Sequence, residues 1–130
     1  MGVREGFSIV TLDGKEAVLA HITIDSPFRV GKYGVDISVL DDIGVTAIYN
    51  AIAVNDVIVI DEIGKMELFS PRFIKAVQDA LSSNKKLLGS ITLKPHPLAD
   101  TIKQSMYIRL AEMTRNSQRQ ILNELLSWLK

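Results

Sequence analysis

Apolar and polar positions change period several times along the chain, and each change marks an element. Phe7 to Leu12 and Glu16 to Ala20 are strand-like runs on either side of Asp13-Gly14, a pair suited to a type I′ turn with positive φ at both central positions. They predict a β-hairpin. Ser26 to Gly34 mixes proline and glycine with basic and aromatic residues and reads as a loop. It leads to a short helix from about Asp36 to Ile43, for which Gly44 is a suitable stop, and a second short helix starts near Thr46. After Asn55-Asp56 come four β-branched residues, Val57 to Ile60. Their unbroken apolar character suits a parallel strand covered on both faces.

Ser70-Pro71 reads as an N-cap with proline at the first helical position. Phe73, Ile74, Val77 and Leu81 then fall on one face of a helix ending near Asn84. Leu87 to Thr92 predicts the next strand, Lys94-Pro95-His96-Pro97 breaks the chain before a helix from about Leu98 to Gln104, and Tyr107 to Met113 reads as a last strand. From Ser117 onward, Ile121, Leu122, Leu125, Leu126 and Leu129 form a wide stripe at helical spacing, the pattern of a helix facing a core. Alternation of strands and helices after Asp56 predicts an α/β parallel sheet in a single domain over 1–130, with the hairpin as an appendage.

A chain of 130 residues with 47% hydrophobic content can bury one core. Fifteen basic residues balance fifteen acidic ones, so the broad positive field of a nucleic-acid binder is not expected. Cysteine is absent, which excludes disulfides and thiolate metal sites, and His21 and His96 are too far apart in sequence to suggest a zinc site. The N-terminus lacks an apolar signal segment, and no uninterrupted apolar run approaches about 18 residues. A cytoplasmic protein without a membrane partner is the expectation.

The chemistry concentrates at Val57-Ile-Val-Ile-Asp-Glu-Ile-Gly-Lys-Met-Glu67, an apolar strand ending in adjacent carboxylates, as in a Walker B strand with a catalytic glutamate. Open α/β sheets place ligands at the carboxyl ends of their strands. There Asp61 can anchor hydrated Mg²⁺ while Glu62 orients or deprotonates an attacking water. Solvated acids at a strand end are the plain alternative. The complementary phosphate loop, G-x-x-x-x-G-K-[ST], does not occur: Gly31-Lys32 is followed by Tyr33 and Gly64-Lys65 by Met66.

Asp61-Glu62-Ile63-Gly64-Lys65-Met66-Glu67-Leu68-Phe69-Ser70 closely resembles the signature of the small P-loop nucleoside-triphosphatases of thermophilic prokaryotes and their vertebrate relative, the cancer-related nucleoside-triphosphatase. The likeness extends through Gly6-Phe7, Val10-Thr11-Leu12, Arg29-Val30-Gly31-Lys32-Tyr33, Val35-Asp36, Pro71-Arg72-Phe73 and Leu88-Gly89-Ser90-Ile91, and weakens after about Lys94. It implies a three-layer α/β/α sheet of the P-loop type, shortened at its N-terminal end. It also implies slow Mg²⁺-dependent hydrolysis of ATP, GTP and other nucleoside triphosphates to the diphosphate and phosphate. Asp61 would be the magnesium residue, Glu62 the water-activating residue, and Ser90 the polar group sensing the γ-phosphate. Ile63, Gly64 and Lys65 would border the nucleotide. Arg29, Lys32 and Tyr33 could cover it, with a structural turn as the alternative.

Two departures from the family pattern carry expectations. Without the phosphate loop, about four charge-assisted hydrogen bonds of roughly 1.5–3 kcal/mol each are lost, on the order of 6 kcal/mol or ~10⁴ in affinity. This chain alone should turn over very slowly or not at all. Near the end, family members carry Asn-Arg three and four residues after a threonine, where this chain has Ser117-Gln118 after Thr114; Arg115 and Arg119 are the nearby arginines. The family's first strand would lie between those of Leu87 to Ile91 and Tyr107 to Met113. Its absence from this sequence leaves apolar edges and predicts a rearranged sheet, a strand-exchanged dimer or poor solubility. A shortened, non-catalytic relative serving protein contact or self-association is therefore the second reading. A kinase relative would want an arginine-rich lid, which is not seen.

Overall fold

The computed structural model describes residues 3–105 and 108–130. Strands β1 (Gly6–Val10) and β2 (Glu16–His21) form the expected antiparallel hairpin. Its turn differs from the two-residue form. Gly14 N–H donates to the Thr11 carbonyl at 3.0 Å and Thr11 N–H to the Lys15 carbonyl at 2.9 Å. Gly14 alone in this turn has positive φ, +93°, so the connection is a three-residue loop closed by a left-handed glycine. Thr11 explains the choice: its hydroxyl donates to Asp13 and accepts the Lys15 N–H.

The stretch expected to be a loop contains two further short strands, β3 (Arg29–Val30) and β4 (Tyr33–Val35), which extend the hairpin into a sheet of order β1-β2-β4-β3. Asp36 then caps the chain's entry into helix, accepting N–H groups from Ser38 and Val39 at 3.1 and 3.3 Å. Helix α1 (Ile37–Val39), a π-helical segment (Leu40–Val45) and α2 (Thr46–Val54) follow without a break. Gly44 is therefore not a stop. It is buried against Ile9 and Leu40, and this packing offsets the roughly 1 kcal/mol that glycine costs a helix. Ser38, Asp41 and Asp42 interrupt the apolar residues of this helical stretch, so no uninterrupted apolar run marks it in the sequence. The helical stretch Ile37–Val54 is long and apolar enough to cross a membrane by length and composition, with mean hydropathy 1.5.

Strand β5 (Val57–Ile63) pairs in parallel with β6 (Lys86–Ile91), from Val57↔Lys86 to Ile60↔Gly89, and then skips to Ile63↔Ile91. Between them come a 3-10 turn (Glu67–Phe69) and helix α3 (Pro71–Ser82). Ser70 is the predicted N-cap. Its buried hydroxyl accepts the Phe73 N–H at 3.0 Å and donates to Asp41 at 2.5 Å, tying α3 to the π segment. Ser70→Ala is expected to cost about 1–2 kcal/mol, read as a lower urea midpoint. Phe73, Ala76, Val77 and Ala80 turn the helix inward. They join one buried cluster that reaches from Leu19, Ala20 and Val35 of the first sheet to Ile58, Ile60 and Ile63 of the second.

Helix α4 (Pro97–Lys103) starts at His96, whose ring accepts the Leu98 N–H at 3.2 Å. Two expectations for the C-terminal region need correction. Of the strand expected from Tyr107 to Met113, Tyr107 lies outside the described residues and 108–113 form no strand. Among the described residues β6 pairs only with β5, so 108–113 adds no ladder to that sheet. Helix α5 (Gln118–Leu129) does form, but none of its residues is buried. Leu122, Leu126 and Trp128 are 45%, 58% and 45% exposed. The helix is held from Lys86 Nζ to the Trp128 carbonyl at 2.6 Å and by the Arg109–Glu124 ion pair at 3.0 Å.

Candidate active site

Side chains on a regular strand alternate between faces, yet Asp61 and Glu62 are both exposed between buried Ile60 and Ile63. The skip in pairing between Ile60 and Ile63 accounts for this. It frees two consecutive residues from the ladder, and the Asp61–Glu62 peptide bond there is cis. Pairing resumes as Thr92 N–H donates to the Ile63 carbonyl at 3.0 Å. On the neighbouring strand, Ser90 Oγ donates to Asp61 Oδ1 at 2.5 Å. Asp61 and Ser90 thus meet at the carboxyl end of the parallel pair, with exposed Glu62 next to Asp61 in the chain.

The remaining predicted residues take different places. Ile63 turns its side chain into the core, leaving its backbone to border the site. Gly64 is buried, whereas Lys65 is exposed with no hydrogen bond or ion pair among the described residues. Arg29, Lys32 and Tyr33 belong to the first sheet and its turn. Arg29 donates to the carbonyls of Ile24 and Lys32 at 3.3 and 2.9 Å, and the Tyr33 hydroxyl to that of Arg4 at 2.9 Å. The Tyr33 ring packs edge-on against Phe7, with the Lys32 ammonium 5.5 Å from its centre. No hydrogen bond or ion pair among the described residues joins these three to the Asp61 group.

In the sequence Glu67 is one letter of the signature, and the structure gives it a place of its own. Its Oε2 accepts the Gly64 N–H at 3.2 Å. The signal available in the sequence was its spacing, three residues after a glycine that follows a strand. Burial pushes the Glu67 carboxyl up from its ordinary value; the Glu62 charge acts in the same direction, and the N–H groups of Glu67 and Gly64 oppose both. The folded chain therefore holds this proton more tightly than the unfolded one. That contribution to stability is complete below the unfolded value of about 4.5 and is lost as pH rises through the folded value. Glu67→Gln, neutral throughout, should melt above the parent at neutral pH and lose this advantage in acid; melting curves at the two pH values check it.

The donors at the strand ends are a carboxylate and a hydroxyl. Among the described residues, no three acidic, histidine or cysteine side chains group to hold a metal by themselves. Such a set fits Mg²⁺, which takes one or two protein carboxylates and fills its other positions with water and phosphate oxygens.

Helices around a parallel pair whose carboxyl ends carry acids and a hydroxyl define an α/β protein of the class that binds its ligands there. The comparisons narrow the class to a family. A family model described as NTPase matches residues 1–126, and the chain belongs to this nucleoside-triphosphatase family. It is 41% identical over 129 residues to the nucleoside-triphosphatase THEP1 of Thermotoga sp. (strain RQ2), covering 99% of this chain and 74% of the relative. The human cancer-related nucleoside-triphosphatase is 33% identical over 139 residues, covering 97% and 73%. The crystal structure of THEP1 from Aquifex aeolicus superposes with a TM-score of 0.87 at 32% identity, over 98% of this chain and 78% of that one.

Proposed function

We propose that the chain carries the hydrolytic side of a Mg²⁺-dependent site that splits ATP, GTP and other nucleoside triphosphates into the diphosphate and phosphate, in the cytoplasm. The observation supporting this most directly is the Ser90–Asp61 hydrogen bond beside exposed Glu62, which gathers three oxygen-bearing groups where a sheet of this kind takes its ligand. Asp61 and Ser90 would hold Mg²⁺, which when bound neutralises charge on the phosphate oxygens. Glu62 has no other partner among the described residues and accepts the proton of the attacking water. Lys65, exposed in the following turn, meets phosphate oxygens. Arg29 and Tyr33 already use their polar atoms on backbone carbonyls, so they contribute covering surface rather than new hydrogen bonds.

A second reading, a non-catalytic module that associates with its own copies through exposed sheet edges, is favoured by the half-exposed apolar stripe of α5 and the single pairing of β6 among the described residues. One experiment separates the two. Phosphate release from ATP and GTP is measured with Mg²⁺ for the purified chain and for Glu62→Gln, with the mass determined by light scattering. Release that disappears in the variant supports hydrolysis. A defined oligomer that releases nothing in either form supports the module.

A further inference from the structure

The turn after β5 brings a third carboxylate back to the strand end. Leu68 N–H donates to the Gly64 carbonyl at 3.0 Å and Ser70 N–H to that of Glu67 at 3.1 Å, folding residue 67 over residue 64. Glu67 then accepts the Gly64 N–H at 3.2 Å. A Cβ built on Gly64 would lie 3.2 Å from Glu67 Oε2 and 3.3 and 3.4 Å from Oε1 and Cγ of Glu62. Both acidic side chains therefore rest against the bare face of one glycine.

We propose that Glu67 is a positioning residue for Glu62. Anchored on the Gly64 N–H, its carboxylate occupies the space across Gly64 into which the Glu62 side chain would otherwise swing. Bulk and like charge close that direction. An exposed glutamate would ordinarily exchange among staggered rotamers, and a group that must meet a water in one geometry loses rate when it does. Gly64 is part of the device, since a side chain there would separate the two acids. The catalytic consequence rests on the hydrolytic reading of Glu62, whereas the restriction of its side chain does not.

The test uses the 130-residue chain and reads the side-chain three-bond couplings of Glu62 by NMR, which report its χ1 distribution without turnover. The parent and Glu67→Gln, which retains an acceptor for Gly64 and a similar bulk, are expected to show one dominant rotamer. Glu67→Ala should show averaging. Glu67→Asp, too short by one methylene, should resemble alanine and serves in its place if that variant does not fold. Averaged couplings in the parent, or unchanged couplings in the shortened variants, would overturn the proposal. Where the parent releases phosphate, kcat should fall about tenfold or more in Glu67→Ala with KM little changed, and recover in Glu67→Gln; a fall without altered Glu62 couplings also overturns it. A parent that releases none counts against the hydrolytic reading, and the couplings still decide the positioning.

Discussion

Glu62→Gln is expected to lower whatever Mg²⁺-dependent phosphate release the chain shows by about 10²–10⁴-fold, the range supplied by a positioned general base. Glutamine has nearly the same shape and can still accept a hydrogen bond from water, but it cannot take the proton. The loss should fall on kcat, with KM little changed, because Glu62 is assigned to the water rather than to nucleotide binding. Stability should move by no more than about 0.5 kcal/mol, as at other exposed positions without a hydrogen bond or ion pair. Glu62 is exposed and has no hydrogen-bond or ion-pair partner among the described residues. Steady-state phosphate release and a thermal melt on the same preparations separate the two quantities. Retained release would remove Glu62 from the chemistry.

Phe73→Ala should have the largest effect on stability, about 3–5 kcal/mol. Phe73 is 4% exposed in the first turn of α3, among the residues that join both sheets into one cluster. Truncation would open a cavity next to Val77 and the strand residues while leaving the backbone cap from Ser70 intact. Against the 5–15 kcal/mol typical of a whole domain, such a loss leaves a marginal fold. Urea titration should show a much lower midpoint with an unchanged slope. A change below about 1 kcal/mol would mean that α3 does not seal this core.

These residues also show what could be read before the structure. Ser70, Pro71 and the apolar face beyond them mark α3 because cap chemistry and helical period are local properties, and the β-branched run of β5 announces a strand in the same way. It is not a strand covered on both faces: Ile58 and Ile60 are buried while Val59 between them is 49% exposed, because an apolar run does not say whether a second layer lies over its other face. Asp61, Glu62 and Ser90 follow once two strands are parallel. Gly44 misled because a helix stop and a close contact with Ile9 carry the same letter, and only the packing of the hairpin separates them. The segment 108–113 has a strand's composition, but a strand exists through a neighbour's hydrogen bonds, which composition cannot supply. The stripe on α5 has a core helix's spacing and remains half-exposed because spacing says which residues face together and not whether anything covers them. Glu67 escaped because its meaning lies in a turn that returns it to Gly64.

The pairing of β5 with β6 acts as a ruler for the acidic pair. Gly89 stands opposite Ile60 and Ile91 opposite Ile63, and only this alignment sets the Ser90 hydroxyl beside Asp61. Displacing β6 by one residue would bring glycine or isoleucine toward that carboxylate and turn the strand's side chains to the other face. A slipped molecule could retain helical content and compact dimensions while lacking the oxygen partner for Asp61. Circular dichroism and size would count it as native, and only an assay of the site would not.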